Sequence, residues 1–428
     1  MAKILIAAAL MFLALASQAV VAQVEPAQEK TVPENSPRAD DAGTAVRLKA
    51  NLQKMNLRAR DEGIPFEGRT APLNAITDVN GLTVGYSTIS ANLTDGRSVR
   101  TGVTAILPRG KQSHDNPVFA GLFSLNGNGE MTGSHWIEES GFLEGPVMIT
   151  NTHSVGIVRD ATIQWRINNG AADKSGYWWS LPVVAETWDG YLNDINGFHI
   201  KPEHVFAALS DAHGGAIEEG NVGGGTGMIC HEFKCGTGTS SRLVQINNQD
   251  YIIGVLVQAN YGVRGTLRIA GVPVGQHLQN DLLWSKPLAR SETDSGFRGD
   301  TGSIIIVVAT DAPLLPHQLK RLARRAALGL GRNGSYAGNG SGDIFIAFST
   351  ANDTANQADN ASSIAMLANE NLDEVFLGTV QATEEAIINA LIAARPMTGT
   401  EGHRAAAIDH TALKKVLKQY NRLLPGRE

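Results

Sequence analysis

The chain has 428 residues but only two cysteines, and they lie close together. Cys230 and Cys235 frame the segment Cys-His-Glu-Phe-Lys-Cys. So few cysteines exclude a disulfide-rich scaffold, which needs several pairs. A zinc site would need further clustered ligands, and no second ligand pair stands near these two residues in the sequence. We therefore expect either a local disulfide or two free thiols, and predict no metal.

Clusters of positive charge are also missing. The chain carries 36 Lys and Arg against 42 Asp and Glu, a net charge of -6, and contains no basic run that would suit nucleic acid. It lacks the Gly-x-Ser-x-Gly nucleophile elbow. The glycine-rich segment 223–227 lacks the Gly-Lys-Ser/Thr ending of a phosphate loop. We therefore predict no nucleic-acid partner and no cofactor.

Long apolar runs are confined to the N-terminus. Residues 1–22 combine Lys3, an apolar run over 4–16 and small residues before Gln23, the pattern of a secretory signal peptide. Residues 23–44 are rich in Pro, Glu, Gln and Asp, which predicts a disordered linker. No later apolar run is long and uninterrupted enough to span a bilayer. We expect an exported, periplasmic protein that has no membrane segment after the signal is removed.

The remaining residues, 45–428, have the pattern of a layered α/β domain. Short apolar runs between Gly and Asn turns are typical of strands, and amphipathic spacing is typical of helices. Strands are predicted at 76–79, 251–260, 303–309 and 343–348, and helices at 45–60, 314–328 and 360–394.

The junction of Gly302 and Ser303 suggests self-cleavage. A polar turn, Gly-Asp-Thr-Gly, runs directly into the apolar run that starts at Ser303. Gly302 has no Cβ and tolerates the strained backbone that attack by the next hydroxyl requires. After the cut, the α-amine of Ser303 would have a pKa near ~7.7–8.0 and could act as a base. Because Gly-Ser before a strand is common, a structural turn or a non-enzymatic binding module remains an alternative at this point.

Several segments together go beyond this local pattern. The sequence resembles the L-aminopeptidase D-esterase and β-peptidyl aminopeptidase family over nearly all of its length after the linker. The matching segments are 72–79, 149–156, 184–187, 192–197, 223–228, 258–262, 302–316, 331–334 and 341–343. The resemblance implies a four-layer α/β/β/α sandwich, like N-terminal-nucleophile hydrolases but with different connectivity. It also implies one catalytic domain, 45–428, cut into an α chain 23–302 and a β chain 303–428.

The resemblance also implies the roles of individual residues. Ser303 matches the nucleophile, and Ser341 with Asp343 matches a polar relay. Asn260 matches the side-chain amide that stabilises the reacting oxygen. Two further residues match positions that bind substrate: Glu186, which would bind the free ammonium group, and Trp188, which would lie in the pocket.

The function implied is an exported, self-processing serine aminopeptidase. It would release N-terminal residues, including β-amino acids, from short peptides and amides through an acyl-enzyme on Ser303. An L-aminopeptidase with D-amino acid esterase or amidase activity is the alternative. A more distant alternative is an acyltransferase of the ornithine acetyltransferase type; those enzymes have Thr at the cleavage site. The family also implies a homo-oligomer, a tetramer of αβ units.

Overall fold

Two β-sheets, described here from a computed structural model, form the centre of the fold. The structure describes residues 57–170, 179–284, 302–356 and 361–425, all of which belong to one compact unit, Gln53–Glu428. The predicted signal peptide, linker and most of the helix predicted at 45–60 lie outside the described residues.

The strands in chain order are β1 (Thr83–Asn92), β2 (Ser98–Lys111), β3 (Val118–Ser124), β4 (Phe142–Leu143), β5 (Val147–Asn151), β6 (Val183–Thr187), β7 (Ile229–Cys230), β8 (Phe233–Lys234), β9 (Thr237–Ile246), β10 (Gln249–Asn260), β11 (Ser303–Thr310), β12 (Gly342–Ser349), β13 (Met397–Thr398) and β14 (Arg404–Ala405). The helices are α1 (Ser134–Ser140), α2 (Val155–Asn169), α3 (Pro202–Asp211), α4 (Val274–His277), α5 (Pro316–Arg332), α6 (Asp373–Ala393) and α7 (His410–Gln419).

The larger sheet has the strand order β4-β3-β12-β11-β10-β9, and the smaller one β1-β2-β5-β6. Neighbouring strands are antiparallel except for the parallel pairs β11–β12 and β5–β6. The two sheets pack face to face through an apolar layer, to which both contribute. Helices α2 and α3 cover the outer face of the smaller sheet, and α5 and α6 cover that of the larger one. These four layers confirm the predicted α/β/β/α sandwich.

Strand β11 lies inside the larger sheet and is buried on both faces. Its sequence Ser-Ile-Ile-Ile-Val-Val-Ala-Thr is a continuous β-branched run, as expected for such a strand. Ile304 and Ile306 point toward α5 and α6, whereas Ile305 and Val307 point toward the other sheet. The strand is thus fixed from both sides, and so is its first residue, Ser303.

Helix α6 is the longest helix of the described residues. It lies within residues 369–393, a helical segment long and apolar enough to cross a membrane by length and composition. However, 89% of the most apolar window is buried inside the protein. The segment is therefore a core helix that packs on β9 and β10.

Three secondary-structure predictions were wrong in part. The strand predicted at 76–79 is a 3-10 turn, Ile76–Asp78, because the Asp78 carboxylate accepts the backbone N–H groups of Leu73 and Ala75. Residues 57–60, the described end of the helix predicted at 45–60, form a loop and turn. The helix predicted at 360–394 begins only at Asp373. The other strands and the helix predicted at 314–328 are confirmed.

Candidate active site

Ser303 is the first residue of β11 and lies between two other strands. It pairs with Asn260 of β10 on one side and with Gly342 of β12 on the other. Its side chain is buried, and its Oγ accepts a hydrogen bond from the Gly342 backbone N–H at 3.2 Å. A hydroxyl held at the end of a rigid central strand suits a nucleophile, because it keeps one orientation.

Gly302 fits its position only because it has no side chain. A Cβ there would lie 2.1 Å from the Asn260 backbone oxygen and 2.6 Å from the Tyr261 Cα. Neither backbone atom can move away cheaply, since Asn260 is the last residue of β10 and Tyr261 follows it directly. The residue before Ser303 is therefore restricted to glycine by close packing, which gives a physical reason for the Gly-Ser pair seen in the sequence.

The side-chain amide of Asn260 is held by two hydrogen bonds. Its Nδ2 donates to the Trp188 backbone oxygen at 2.9 Å, and its Oδ1 accepts from the Ile229 backbone N–H at 2.9 Å. Directly opposite residues on neighbouring strands point to the same face, so Asn260 lies on the face of Ser303. An amide nitrogen carries two hydrogens, and the second can donate to a reacting oxygen.

Ser341 and Asp343 form a pair around Gly342. Ser341 Oγ donates to Asp343 Oδ1 at 2.6 Å, and both residues are fully buried. By strand alternation Asp343 belongs to the face that α5 and α6 cover, together with Phe345, whereas Ser303 belongs to the opposite face. Gly342, whose N–H bonds Ser303 Oγ, therefore lies between this pair and Ser303.

Glu186 lies in β6, in the other sheet, and is buried with a relative exposure of 3%. Its Oε1 accepts the Glu130 backbone N–H at 3.0 Å, and its Oε2 accepts the Thr152 hydroxyl. Burial raises the pKa of Glu186, while these two hydrogen bonds oppose the rise. A carboxylate has about four acceptor sites, so both oxygens can still accept from an ammonium group.

Gly129 connects Glu186 to the site of Ser303. A Cβ on Gly129 would lie 3.2 Å from Glu186 Oε1 and 3.3 Å from the Gly342 Cα. The Glu186 carboxylate and Gly342, whose N–H bonds Ser303 Oγ, thus both lie close to Gly129. Sequence reasoning missed Gly129 and Thr152, although the dense Asn-Gly-Asn-Gly turn at 126–129 was a signal for a special backbone position.

A cavity of about 290 Å³ opens at the Gly302 side of the nucleophile. The described residues that line it include four aromatic rings and none of them has a charged side chain. The lining residues are Trp188, Tyr191, Gly227, Ile229, Asn260, Tyr261, Gly262, Leu283, Trp284 and Gly302. Trp188 lines this cavity together with Gly302, the residue before Ser303, and its role in substrate binding stays a prediction. Glu186 is not among the lining residues.

The sequence did not single out Tyr191, Leu283 or Trp284 for this cavity. Tyr191 and Trp284 are far apart in the chain, yet their rings meet edge to face at 5.9 Å. No local motif marks such a contact, because it depends on how distant loops meet. The largely aromatic lining can accept a side chain of substantial size next to Gly302.

The structure decides between the alternatives for the two cysteines. Cys230 and Cys235 form a disulfide, with Cα atoms 5.3 Å apart. Among the described residues, no group of three or more His, Cys, Asp or Glu side chains is arranged to hold a metal ion.

The four-layer α/β/β/α sandwich places the chain in the class of proteins with the N-terminal-nucleophile hydrolase fold. The chain belongs to peptidase family S58, whose family model matches residues 74–405. The family expected from the sequence is thereby confirmed.

Characterised relatives support an aminopeptidase. The chain is 52% identical to beta-peptidyl aminopeptidase BapA of Sphingosinicella microcystinivorans, over 86% of this chain and 94% of the relative. It is 45% identical to BapA of Sphingosinicella xenopeptidilytica, over 87% and 94%. The solved L-aminopeptidase D-Ala-esterase/amidase of Ochrobactrum anthropi, a variant of the Ntn hydrolase fold, superposes with a TM-score of 0.78 at 51% identity, over 86% of this chain and 99% of that one. The protein is thus an aminopeptidase with an Ntn-hydrolase-like fold.

Proposed function

We propose that the protein is an exported serine aminopeptidase that cuts itself between Gly302 and Ser303 and then uses Ser303 as its nucleophile. It would release N-terminal residues, including β-amino acids, from short peptides and amides. The observation that carries the proposal is the position of Ser303 between Asn260 and Gly342, with Gly302 packed against the backbone of Asn260.

The self-cleavage would begin with the Ser303 hydroxyl. Oγ attacks the Gly302 carbonyl carbon, the C–N bond breaks, and the proton passes to the nitrogen that becomes the α-amine of Ser303. Water then opens the ester, which leaves the Gly302 carboxylate and restores the hydroxyl. The second hydrogen of Asn260 Nδ2 would bond the oxygen that becomes negative during the attack.

Hydrolysis of a substrate would repeat this chemistry between molecules. The free α-amine of Ser303 takes the proton as Oγ attacks the substrate carbonyl, and returns it to the leaving amine. Water then hydrolyses the acyl-enzyme. Ser341 and Asp343 would orient this end of β12, and the charged Glu186 carboxylate would bind the substrate's ammonium group. This requirement for a free N-terminus makes the reaction that of an aminopeptidase.

The aromatic cavity supports a substrate residue with a large apolar side chain, since four aromatic rings line it and none of its described lining residues is charged. L-aminopeptidase activity with D-amino acid esterase or amidase activity is the second candidate. It is favoured by the 51% identity to the Ochrobactrum anthropi enzyme, almost equal to the 52% identity to BapA.

Export to the periplasm, removal of residues 1–22 and assembly into a tetramer of αβ units belong to the same proposal. The signal pattern of the sequence supports the first two, and the family resemblance supports the third. Size-exclusion chromatography with light scattering tests the tetramer, and fractionation of cells that express the full chain tests the compartment.

One experiment tests the central proposal. The full chain is expressed, purified and analysed by denaturing electrophoresis with N-terminal sequencing, and then assayed on a β-homo-amino acid dipeptide, an L-amino acid p-nitroanilide and a D-amino acid amide. We expect two chains, one of which begins at Ser303, and the highest kcat/KM on the β-peptide. A single uncut chain that is fully active would refute self-processing, and a preference for the L- or D-substrate would favour the second candidate.

A further inference from the structure

The disulfide-closed hairpin of β7 and β8 has an unusual turn. His231 and Glu232 form the two-residue connection, and both have positive φ values, 47° and 62°. Such turns are normally made by Asn-Gly or similar pairs, since larger residues are strained in this conformation. Two strained residues at one turn indicate that a particular side chain is needed there. The Cys230–Cys235 disulfide closes the hairpin around them.

The side chain that the turn directs is the carboxylate of Glu232, which is completely buried. Its Oε2 accepts the backbone N–H groups of Leu283 at 2.9 Å and Trp284 at 3.0 Å. Its Oε1 accepts the Arg264 backbone N–H at 3.1 Å. One carboxylate thus fixes the backbone of the two residues whose side chains form a wall of the cavity.

Arg264 strengthens the same connection from the other side. Its guanidinium lies 3.3 Å from the centre of the Phe233 ring and donates to the backbone oxygens of His231 and Glu232. It also donates to the backbone oxygens of Leu278 and Asn280, at 2.7 and 2.8 Å. Both the Glu232 carboxylate and the Arg264 guanidinium therefore connect the hairpin to the segment that leads to Trp284.

The hairpin is also attached to the floor of the cavity. Ile229 lines the cavity and donates its N–H to Asn260 Oδ1. The His231 N–H donates to the Tyr261 oxygen at 2.7 Å, and a Cβ on Gly262 would lie 2.6 Å from the His231 ring. The distance between the floor at Asn260–Gly262 and the wall at Leu283–Trp284 is therefore set through the hairpin.

We propose that Glu232 is a positioning residue that determines the width of the cavity, and that the Cys230–Cys235 disulfide holds the turn that directs it. Glu232 acts through the Leu283–Trp284 backbone and does not contact the substrate. The proposal rests on the proposed function in one respect: the cavity receives the side chain of the substrate's N-terminal residue. Loss of Glu232 then weakens the binding of large apolar side chains and leaves the chemistry at Ser303 unchanged.

The test compares Glu232→Gln with the native enzyme on p-nitroanilides of β-homophenylalanine and β-alanine. An amide cannot accept the N–H bonds with both of its polar atoms, so the wall loses part of its support. We expect KM for the large substrate to rise at least about tenfold, with kcat changed less than about twofold and little change for β-alanine. Glu203→Gln, an exposed residue of α3, is the matched control and should leave both substrates unaffected.

Two further variants keep the proposal testable if Glu232→Gln fails to fold. Glu232→Asp retains the charge with one carbon less and should give an intermediate KM. The double variant Cys230→Ala/Cys235→Ala should shift KM in the same substrate-selective way. An equal change for both substrates, a loss confined to kcat, or native kinetics in all variants would overturn the proposal.

Hydrogen exchange separates this inference from the proposed function. We expect the amides of Leu283 and Trp284 to exchange faster in the Glu232 and cysteine variants than in the native enzyme. A native enzyme that hydrolyses neither anilide would overturn the proposed substrate class and the role of the cavity in binding it. Unchanged exchange at these two amides in every variant would overturn the role of Glu232 even if the enzyme is fully active.

Discussion

The hydroxyl oxygen of Ser303 accepts a hydrogen bond from the backbone N–H of Gly342, its partner in the parallel pair of β11 and β12. This bond joins the proposed nucleophile to the start of β12, where Ser341 precedes Gly342 and Asp343 follows it. Because Gly342 also contacts Gly129, it connects Ser303 to the Glu186 carboxylate of the opposite sheet. The groups that the proposed mechanism needs thus meet at the ends of β6, β10, β11 and β12.

Replacing Ser303 by Ala should leave the chain uncut and inactive. The substitution removes the only atom that can form both the ester of self-cleavage and the acyl-enzyme. Denaturing electrophoresis and intact mass show whether one or two chains are present, and a peptidase assay measures activity. Ser90→Ala, on an exposed position of β1, should be cut and active like the native chain. If Ser303→Ala is cut or active, another residue is the nucleophile.

Replacing Asn260 by Asp should lower kcat by about 10²–10³. An aspartate oxygen can still accept the Ile229 N–H, but the carboxylate cannot donate to the reacting oxygen. The rate of self-cleavage should fall too, so kcat is measured on the two-chain fraction. Asn80→Asp, which is exposed, is the control. A kcat within threefold or so of the native value would exclude Asn260 from oxyanion stabilisation.

The sequence predicted those parts of the fold that depend on local pattern. The uninterrupted β-branched run after Ser303 indicated a strand buried on both faces, and the packing on both sides of Ile304 and Ile305 agrees. The strand predicted at 76–79 failed because one side chain, Asp78, organises the turn there. A hydrogen bond from a side chain to the backbone leaves little trace in apolar periodicity.

The site was predictable only where family segments could be matched. Asn260, Ser341 and Asp343 were assigned roles only through that resemblance, and these roles stay predictions. The structure places Asn260 opposite Ser303 and bonds Ser341 to Asp343 on either side of Gly342. The contacts between Tyr191 and Trp284, and between Glu232 and the Leu283 backbone, join residues that are distant in sequence. Such contacts follow from packing of whole loops, and no spacing rule indicates them.

Replacing Glu186 by Gln should raise KM for substrates with a free amine by about 10–100-fold, since an ammonium group loses its charged partner. An N-acetylated peptide, which has no ammonium group, should be hydrolysed as poorly as by the native enzyme. Burial raises the pKa of Glu186, so kcat/KM of the native enzyme should decline with falling pH as this carboxylate becomes protonated. The variant should lack the part of the decline that comes from Glu186 and keep only the part that comes from protonation of the Ser303 α-amine. If the variant hydrolyses the free peptide as well as the native enzyme does, and the acetylated peptide likewise, Glu186 does not bind the amine.

Replacing Ser341 by Ala should lower kcat by about 10–100-fold and leave KM nearly unchanged. The variant removes the 2.6 Å bond to Asp343 while the cavity and Glu186 remain intact. Steady-state kinetics on the two-chain protein separate kcat from KM. Ser363→Ala, at an exposed position outside the helices and strands, serves as the control. A rise in KM with constant kcat would instead assign Ser341 to substrate binding.

Replacing Asp189 by Asn should remove a pH dependence of stability. Burial raises the pKa of Asp189 to about 7, although hydrogen bonds from Thr101 and Asn193 oppose the rise. The folded pKa lies above the unfolded one, so the native state binds more protons between about pH 4 and 7, and the contribution of Asp189 to stability is lost as pH rises through this window. We therefore compare the free energy of unfolding of the Asn variant with that of the native protein at each pH. The difference, variant minus native, should be about 2 kcal/mol more positive at pH 8 than at pH 5. Urea unfolding at both pH values measures the difference. Asp160→Asn, exposed on α2, should show no such gain, and an identical pH dependence of native and Asp189→Asn proteins would mean that Asp189 stays ionised in the folded state.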